Sequence, residues 1–347
     1  MRALRLPDWK TEPELVELPE PQPGPGQVVI KIGAAGLCGS DLHLMQDFSA
    51  GSMPWDPPFT LGHENAGWVH RLGAGVDGWT IGQAVAVCGP WGCAHCAQCR
   101  AGADAQCVDQ ANAPLASGGG LGCDGGIADY LLVPDCRHLV ALPERMGPTL
   151  AAALTDAGLT SYHAVLRSRE KLRPGSTAVV IGAGGLGHVG VQILAAVTGA
   201  EVIAVDNRAA ARECALACGA DFAVAADEDA ADHIWTLTRG RGADVVIDFV
   251  GSDETLALAA CTVRNHGDVT VVGTAGGALP VSFGGLPSEV SVQTSRWGSR
   301  SELVEVLALA ARGQIQPITT TYRLDEAAAA YADLRDGRII GRAVVRP

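Results

Sequence analysis

The segment that most restricts the fold is the glycine-rich run Gly182-Ala-Gly-Gly-Leu-Gly187, which has the spacing GxGxxG. It directly follows the apolar run at 177–181 and is followed by a helical pattern that begins at His188. Within a strand–turn–helix unit, glycine permits the tight turn, the close approach of a pyrophosphate and the packing of helix on strand. This context predicts a dinucleotide-binding βαβ unit rather than an ordinary glycine turn. The predicted contacts are Gly182, Gly184, Gly185, Leu186 and Gly187.

Strand and helix patterns alternate from this unit toward the C-terminus. The strand-like runs occupy residues 177–183, 201–207, 221–226, 243–251, 268–274 and 291–298. Because helical stretches separate these runs, they predict a doubly wound, parallel sheet of six strands in an α/β fold.

The rest of the chain has a different pattern. Residues 1–150 contain short apolar runs, such as 28–32 and 83–87, between Pro-Gly and glycine-rich turns, which predicts a β-rich domain. A final strand pattern at 341–346 lies outside the six-strand count and is expected to rejoin that domain. A chain of 347 residues exceeds the size at which a single core stops growing, so two domains are expected. We place them at 1–157 together with 297–347, and at 158–296.

The choice of dinucleotide depends on Asp206, which ends the second strand nineteen residues after Gly187. A carboxylate at this place accepts hydrogen bonds from the adenosine ribose hydroxyls and repels a 2′-phosphate, which predicts NAD(H) as the cofactor. Arg208 and Arg212 follow closely and would tolerate that phosphate, so NADP stays open as the alternative.

Four cysteines form a compact group. Cys93, Cys96 and Cys99 recur at every third residue, and Cys107 follows. Four thiolates on one loop can surround a tetrahedral Zn²⁺ and leave no open position, which makes the predicted ion structural. The alternative is a set of buried or disulfide-linked cysteines, but clustered cysteines in a large chain without a secretory signal favour metal binding. His95 is expected to be exposed rather than bound.

Charge and hydropathy exclude several classes of partner. The formal net charge of −13 repels the phosphate backbone of nucleic acids, so nucleic acid is not an expected partner. For the same reason, the cysteines are not expected to form a zinc ribbon that binds nucleic acid. The first residues lack the apolar core of a secretory signal, and no apolar run reaches the ~18 residues of a membrane span. We therefore expect a cytoplasmic protein that acts on a small molecule and has no membrane partner.

Cys38 and His63 are candidates for a second, open zinc site, which needs about three protein ligands and a free position. CGSDLH at 38–43, GHE at 62–64, the four cysteines and the glycine loop occur in the order and spacing found in the zinc-containing medium-chain alcohol dehydrogenases. The chain resembles that family over nearly its whole length. The resemblance implies a GroES-like catalytic domain, a Rossmann domain that binds NAD(H), and two Zn²⁺ per chain, one catalytic and one structural.

The third ligand of the open site also comes from the resemblance. The family takes it from a Cys, Asp or Glu just before the cofactor domain, and the matching residue is Asp156. An aspartate here looks like the bacterial secondary-alcohol branch, and with one thiolate and a neutral histidine it keeps the formal ligand charge of a two-thiolate site. The alternative is that Asp156 is an ordinary polar residue on a helix and that Glu64 completes the metal shell.

The resemblance also implies a proton path. Ser40 would contact the substrate oxygen and pass its proton through the nicotinamide ribose to His43, which exchanges with water. Asp41 would orient His63, and Glu64 would sit behind the metal. The alternatives are a turn serine for Ser40 and a surface histidine for His43.

Further positions match the family's cofactor and substrate contacts. Thr160, Trp297, Gly273 and Thr274 match positions near the nicotinamide, and Arg342 matches an arginine that pairs with the pyrophosphate. Trp55 and Trp297, together with Trp91, are predicted to wall an apolar substrate pocket, with core packing as the alternative.

These residues predict an NAD-dependent zinc alcohol dehydrogenase that interconverts secondary, and some primary, alcohols with ketones and aldehydes. A polyol or amino-alcohol dehydrogenase of the sorbitol or threonine type is the alternative, and it would need polar pocket walls. Cys38, His63 and the four cysteines oppose a zinc-free quinone reductase, whereas only turnover would exclude a non-catalytic zinc and nucleotide sensor. By analogy with the family, we expect a homodimer or a homotetramer.

Overall fold

The computed structural model describes residues 1–109 and 118–347, which form two compact units. The first unit comprises Met1–Leu159, Trp297–Ala311 and Pro317–Pro347. The second comprises Thr160–Arg296 and Arg312–Gln316. The domain boundaries placed at 157/158 and 296/297 stay predictions.

Strands and helices of the described residues are numbered in chain order. The strands are β1 (Arg2–Leu6), β2 (Glu14–Glu17), β3 (Val28–Leu37), β4 (Phe59–Thr60), β5 (Glu64–Leu72), β6 (Ala84–Val87), β7 (Tyr130–Val133), β8 (Leu139–Ala141), β9 (Thr177–Ile181), β10 (Glu201–Asp206), β11 (Phe222–Ala225), β12 (Ala243–Asp248), β13 (Val263–Val271), β14 (Ser291–Thr294), β15 (Thr319–Arg323) and β16 (Arg342–Arg346). The helices are α1 (Gly39–Gln46), α2 (Ala97–Arg100), α3 (Pro148–Ala153), α4 (Leu159–Arg167), α5 (Gly187–Val197), α6 (Ala209–Ala217), α7 (Ala230–Leu237), α8 (Asp253–Thr262), α9 (Arg300–Ala311) and α10 (Ala327–Arg335). None of the helices in this part of the chain is long and apolar enough to cross a bilayer.

The first unit is the predicted β-rich domain. Its main sheet has the order β15-β16-β3-β5-β6-β8, with β7 also paired to β3, and a smaller sheet has the order β2-β1-β4. β16 and β5 both pair antiparallel with β3, one on each side. Because β3 ends where β16 and β5 begin, this order places the C-terminal end of β3 beside the first residues of both neighbours. These strand ends lie at the first candidate site.

The second unit confirms the predicted doubly wound sheet. Six parallel strands run in the order β11-β10-β9-β12-β13-β14, with β9 at the centre. β9 and β12 are buried along their whole length, as expected for inner strands covered by helices on both faces. β10 and β11 lie on one side of β9, whereas β12 and the strands that follow it lie on the other side. In doubly wound sheets, ligands bind at the carboxyl ends of the strands where the strand order reverses in this way.

Residues 148–167 depart from the single helix that their composition suggests. α3 and α4 are joined by one turn of π-helix at Leu154–Gly158, all of it buried. A π turn inserts one extra residue into a helix and is frequent at functional sites. Here the turn contains Asp156, so it redirects the side chain for which the sequence predicts a metal-binding role.

Candidate active site and metal centres

Cys38, His63 and Asp156 meet inside the first unit. Cys38 follows β3 and caps the N-terminus of α1, His63 immediately precedes β5, and Asp156 comes from the π turn. The Cys38 Sγ lies 3.8 Å from Asp156 Oδ2, and His63 Nε2 lies 3.7 Å from the same oxygen. All three side chains are buried. The structure therefore brings together one thiol, one imidazole and one carboxylate.

The spacing of these atoms suits a tetrahedral metal ion. Ligands at the usual Zn–N, Zn–O and Zn–S lengths lie roughly 3.3–3.8 Å from one another, and the two measured separations match the upper part of that range. Burial opposes ionisation of the Cys38 thiol, but the positive charge of Arg342 and the hydrogen bond with His63 lower its pKa. The donor set and its electrostatics thus fit Zn²⁺, which binds the thiolate rather than the thiol.

Asp41 contacts two of the candidate ligands, Cys38 and His63. Its Oδ2 accepts hydrogen bonds from the Cys38 backbone N–H at 3.1 Å and from the Tyr331 hydroxyl at 2.9 Å. Its Oδ1 lies 3.2 Å from His63 Nδ1, which leaves Nε2 directed toward the metal position. A carboxylate this close to the second ring nitrogen can set the orientation of a metal-binding imidazole. Tyr331 lies 290 residues from Asp41 in the chain, and no sequence pattern marks it.

Glu64 lies at the same site but has a different partner. Its side chain is fully buried and forms an ion pair with Arg342, at the start of β16, which is only 3% exposed. Ligand atoms of Cys38, His63, Glu64 and Asp156 all lie within 4.8 Å of one another, so Glu64 is close enough to reach a metal. Within the first unit the Arg342 guanidinium thus balances the charge of Glu64. The predicted contact of Arg342 with the pyrophosphate of the cofactor stays a prediction.

The two residues of the predicted proton path lie on α1. The Ser40 hydroxyl lies 3.6 Å from Cys38 Sγ and is therefore beside the metal position. His43 is partly exposed, and its Nδ1 contacts the Asp47 carboxylate one helical turn further on. This contact leaves Nε2 as the ring nitrogen available to water or to a proton donor.

Trp297 lies against the same site in a strained backbone conformation. Its φ of 53° is in the left-handed region, which a bulky residue rarely adopts. The indole meets the His63 ring edge to face, with centroids 5.6 Å apart. A side chain at position 89 would collide with this indole, because a Cβ built on Gly89 would lie 2.5 Å from Trp297 Cη2. Gly89, which the sequence analysis did not single out, therefore leaves room for the indole beside the metal position.

Trp55 and Trp91 pack among core side chains. Trp55 stacks on Trp9 at 5.7 Å and meets Phe59 edge to face at 5.4 Å. Trp91 is buried, and its indole N–H donates to the Cys88 carbonyl at 3.1 Å. These contacts are the core packing that the sequence left open as an alternative, and a substrate contact of Trp55 stays a prediction.

The four cysteines form a second centre in the first unit. Ligand atoms of Cys93, Cys96, Cys99 and Cys107 lie within 4.8 Å of one another, and Cys93 Sγ is 3.9 Å from Cys99 Sγ. The backbone N–H groups of Cys96 and Cys99 point at the sulfurs of Cys93 and Cys96, at 3.3 and 3.5 Å. The N–H groups of Cys99 and Val108 lower the pKa of Cys96 to about 6. Burial instead raises the pKa of Cys99, so the N–H groups favour thiolate at Cys96 rather than at all four sulfurs. The four sulfurs together fit a closed, tetrahedral zinc site.

Charged residues outside the motif anchor this loop. Asp104 is buried and pairs with Arg137 at 2.8 Å and with Arg300 at 3.8 Å. Arg137 also donates to the Gly92 carbonyl, next to Cys93, at 2.8 Å. His95 is exposed, as expected, and its Nε2 contacts Asp109 at 2.7 Å. Asp104, Arg137 and Arg300 were not predicted from the sequence, because the spacing of the cysteines contains no signal for them.

The glycine loop of the second unit joins β9 to α5. Gly182 has a φ of 85°, and a Cβ on Gly187 would overlap the Gly182 carbonyl oxygen, so both positions require glycine. His188 Nδ1 donates to the Gly184 carbonyl at 2.8 Å, and burial lowers the pKa of this imidazole. A neutral histidine thus holds the loop, and the N-terminus of α5 offers the partial positive charge that suits a pyrophosphate.

Asp206 lies at the end of β10, beside the glycine loop. Its Oδ2 accepts from the Ala183 backbone N–H at 2.9 Å, and its Oδ1 accepts from that of Arg208 at 2.9 Å. Arg208 Nε is 3.4 Å from the same carboxylate, and Arg212 donates to the Asp206 carbonyl at 2.8 Å. The two arginines therefore both contact Asp206.

Three further predicted cofactor contacts, Thr160, Gly273 and Thr274, lie in the second unit, whereas Trp297 and Arg342 belong to the first. Thr160 is buried at the start of α4, whereas Gly273 and the exposed Thr274 follow the carboxyl end of β13. Their contacts to a cofactor stay predictions.

Known proteins resemble this chain along its whole length. Residues 24–144 match the alcohol dehydrogenase GroES-like domain, and residues 185–312 match the zinc-binding dehydrogenase family. An NAD-dependent alcohol dehydrogenase of Sulfurisphaera tokodaii is 37% identical over 100% of both chains. The alcohol dehydrogenase structure from Aeropyrum pernix is similar with a TM-score of 0.92 and 33% identity over 100% of both chains. The acetophenone reductase of Geotrichum candidum in complex with NAD has a TM-score of 0.87 and 32% identity, covering 100% of this chain and 96% of that one.

Proposed function

This chain belongs to the zinc-containing medium-chain alcohol dehydrogenase family, and we propose that it interconverts secondary alcohols and ketones at Cys38, His63 and Asp156. It is an NAD-dependent alcohol dehydrogenase that uses zinc. The finer proposal is supported by the proximity of these three buried side chains, with Cys38 Sγ and His63 Nε2 at 3.8 and 3.7 Å from Asp156 Oδ2. The full-length relatives confirm the predicted reaction, NAD-dependent alcohol dehydrogenation, and the substrate class is the proposal.

The proposed mechanism depends on residues near Cys38, His63 and Asp156. Zinc held by Cys38, His63 and Asp156 would supply a Lewis acid that lowers the pKa of an alcohol hydroxyl, and NAD would supply the hydride acceptor. Ser40, 3.6 Å from Cys38 Sγ, would accept the substrate's hydroxyl proton while it passes its own proton on toward the partly exposed His43, which would release a proton to water through Nε2. In ketone reduction the same two groups return the proton to the oxygen. Asp41 keeps the imidazole of His63 in one orientation.

Asp156 is our choice for the third ligand. Arg342 already balances the charge of Glu64, whereas the Asp156 carboxylate faces both Cys38 and His63. A buried carboxylate with its own cation is a weaker candidate for Zn²⁺ than one aimed at the other two ligands. Glu64 then lies behind the site, and the second Zn²⁺ is the structural ion of Cys93, Cys96, Cys99 and Cys107.

The substrate class follows from the walls of the site. The indole of Trp297 packs edge to face on His63, which favours apolar substituents on the reacting carbon. The similar acetophenone reductase acts, by its name, on a ketone whose reduction yields a secondary alcohol. Polyols and amino alcohols need polar walls, so they are the weaker alternative.

An activity screen tests this proposal. Wild-type enzyme and Cys38→Ser are assayed with short secondary alcohols, aryl ketones and polyols, each with NAD and with NADP. We expect the highest kcat/KM on the first two classes and no turnover by the folded Cys38→Ser variant. Turnover restricted to polyols would establish the alternative substrate class. No turnover on any substrate would indicate a protein that binds zinc and nucleotide without catalysing a reaction.

The preference for NAD over NADP is attributed to Asp206. Asp206→Gly is expected to shift the ratio of kcat/KM values toward NADP by about 10–100-fold, because a hydrogen bond to a charged group contributes about 1.5–3 kcal/mol. Asp206→Asn keeps an acceptor for the Ala183 N–H while removing the charge, so it is the matched control for the local structure. An unchanged ratio in both variants would show that another residue selects the cofactor.

The assembly state and location are also proposals. Val281, Phe283 and Val292 are exposed apolar side chains of the second unit, which supports a homodimer or homotetramer formed through the cofactor domain. The cytoplasmic location stays a prediction from the sequence.

A further inference from the structure

Tyr331 is among the largest fully buried side chains of the first unit, and its hydroxyl reaches the active site from α10. We infer that Tyr331 is a positioning residue for the catalytic metal, because it holds Asp41, which in turn orients His63. This inference rests on the proposed zinc site at Cys38, His63 and Asp156. It adds to that site a residue that binds neither metal nor substrate.

The inference is based on the contacts of the two carboxylate oxygens of Asp41. One carboxylate oxygen receives two donors, the Cys38 N–H at 3.1 Å and the Tyr331 hydroxyl at 2.9 Å, while the other oxygen lies 3.2 Å from His63 Nδ1. Two fixed donors on Oδ2 define the plane of the carboxylate and therefore the place of Oδ1. The Tyr331 hydroxyl is thus two contacts away from a candidate ligand, and Asp41 touches both Cys38 and His63.

The strength of this contact depends on burial. Asp41 is 0% exposed and Tyr331 is 1% exposed, so water does not replace a lost hydroxyl. Hydrogen bonds to a buried charged group are among the stronger ones in proteins. Without the phenol oxygen, Oδ2 keeps only the Cys38 N–H, and the carboxylate gains freedom to rotate. The imidazole of His63 then loses its fixed orientation.

Tyr322 offers a matched control. Its hydroxyl also donates to a carboxylate, Asp333 Oδ2, at 2.7 Å, and it lies in the same C-terminal part of the first unit. Tyr322→Phe therefore removes the same chemical group and the same kind of hydrogen bond. Asp333 contacts Tyr322 and Arg338 rather than a candidate zinc ligand.

The experiment measures zinc release from the holoenzyme to an excess of a chromogenic chelator. In Tyr331→Phe, the more labile zinc is expected to leave about 10-fold faster or more, since loss of a residue that orients a ligand costs 10–100-fold in metal affinity. The zinc of the four cysteines is the internal reference and keeps its rate. The visible spectrum of the Co²⁺-substituted catalytic site is expected to shift, whereas Tyr322→Phe leaves both the release rate and the spectrum unchanged.

Several results would overturn the inference. If Tyr331→Phe releases the labile zinc at the wild-type rate with an unchanged Co²⁺ spectrum, Tyr331 only fills the core. If both zinc ions leave faster by the same factor, the effect is general destabilisation. Should Tyr331→Phe not fold, Asp41→Asn must produce the same selective release, and a wild-type rate in that variant also refutes the inference. A wild-type enzyme that contains no labile zinc would instead refute the proposed catalytic site.

Discussion

Asp156→Asn is expected to lower kcat/KM by at least about 10³-fold and to reduce bound zinc from about two to about one per chain. The amide has no charge to offer the metal, and the remaining ligands Cys38 and His63 are too few for a stable site. A Lewis acid contributes several kcal/mol to the stabilisation of the reacting oxygen, which corresponds to a loss of this size. Metal analysis and steady-state kinetics on the same preparation measure both quantities.

Two further variants decide between Asp156 and Glu64. Asp156→Cys restores a negatively charged ligand and should regain zinc and part of the activity. Glu64→Gln should keep both zinc ions, because its partner is Arg342. Loss of zinc from Glu64→Gln together with normal zinc in Asp156→Asn would make Glu64 the third ligand and contradict our assignment.

Arg342→Met is expected to lower the free energy of unfolding of the zinc-loaded protein by about 3–5 kcal/mol. Both members of the Glu64–Arg342 pair are buried, so removal of the guanidinium leaves a carboxylate without water and without its paired cation. Urea unfolding in the absence of NAD measures this effect separately from cofactor binding. The double variant Glu64→Gln/Arg342→Met should be less destabilised than the sum of the two single changes, because neither partner is then left charged.

Arg338→Met provides the control for this prediction. Arg338 pairs with Asp333 and Asp336 at the surface, where water screens the charges, so its loss should leave the unfolding free energy nearly unchanged. If Arg342→Met behaves like Arg338→Met in urea but raises the KM for NAD, then Arg342 acts on the pyrophosphate, as the family resemblance implies, and not on the stability of the first unit.

Local patterns explain how much of the fold was predictable. The glycine loop and the six parallel strands of the second unit follow from alternation of apolar strands and helices, each recognisable within about 30 residues. The four cysteines could be recognised as one metal site because all four ligands lie within fifteen residues, from Cys93 to Cys107. The π turn at Leu154–Gly158 was not predictable, since its residues have the composition of an ordinary helix.

The sequence by itself determined the types of chemical group: a dinucleotide loop, a cluster of four cysteines, and Cys38 and His63 as candidates for an open metal site, to which the family resemblance added Asp156. Only the tertiary structure showed which partners the buried acidic residues contact. The pairing of β16 with β3 brings Arg342 to Glu64, and α10 brings Tyr331 to Asp41. Such partners lie hundreds of residues apart, and their contacts depend on strand register and helix packing, which no local periodicity specifies.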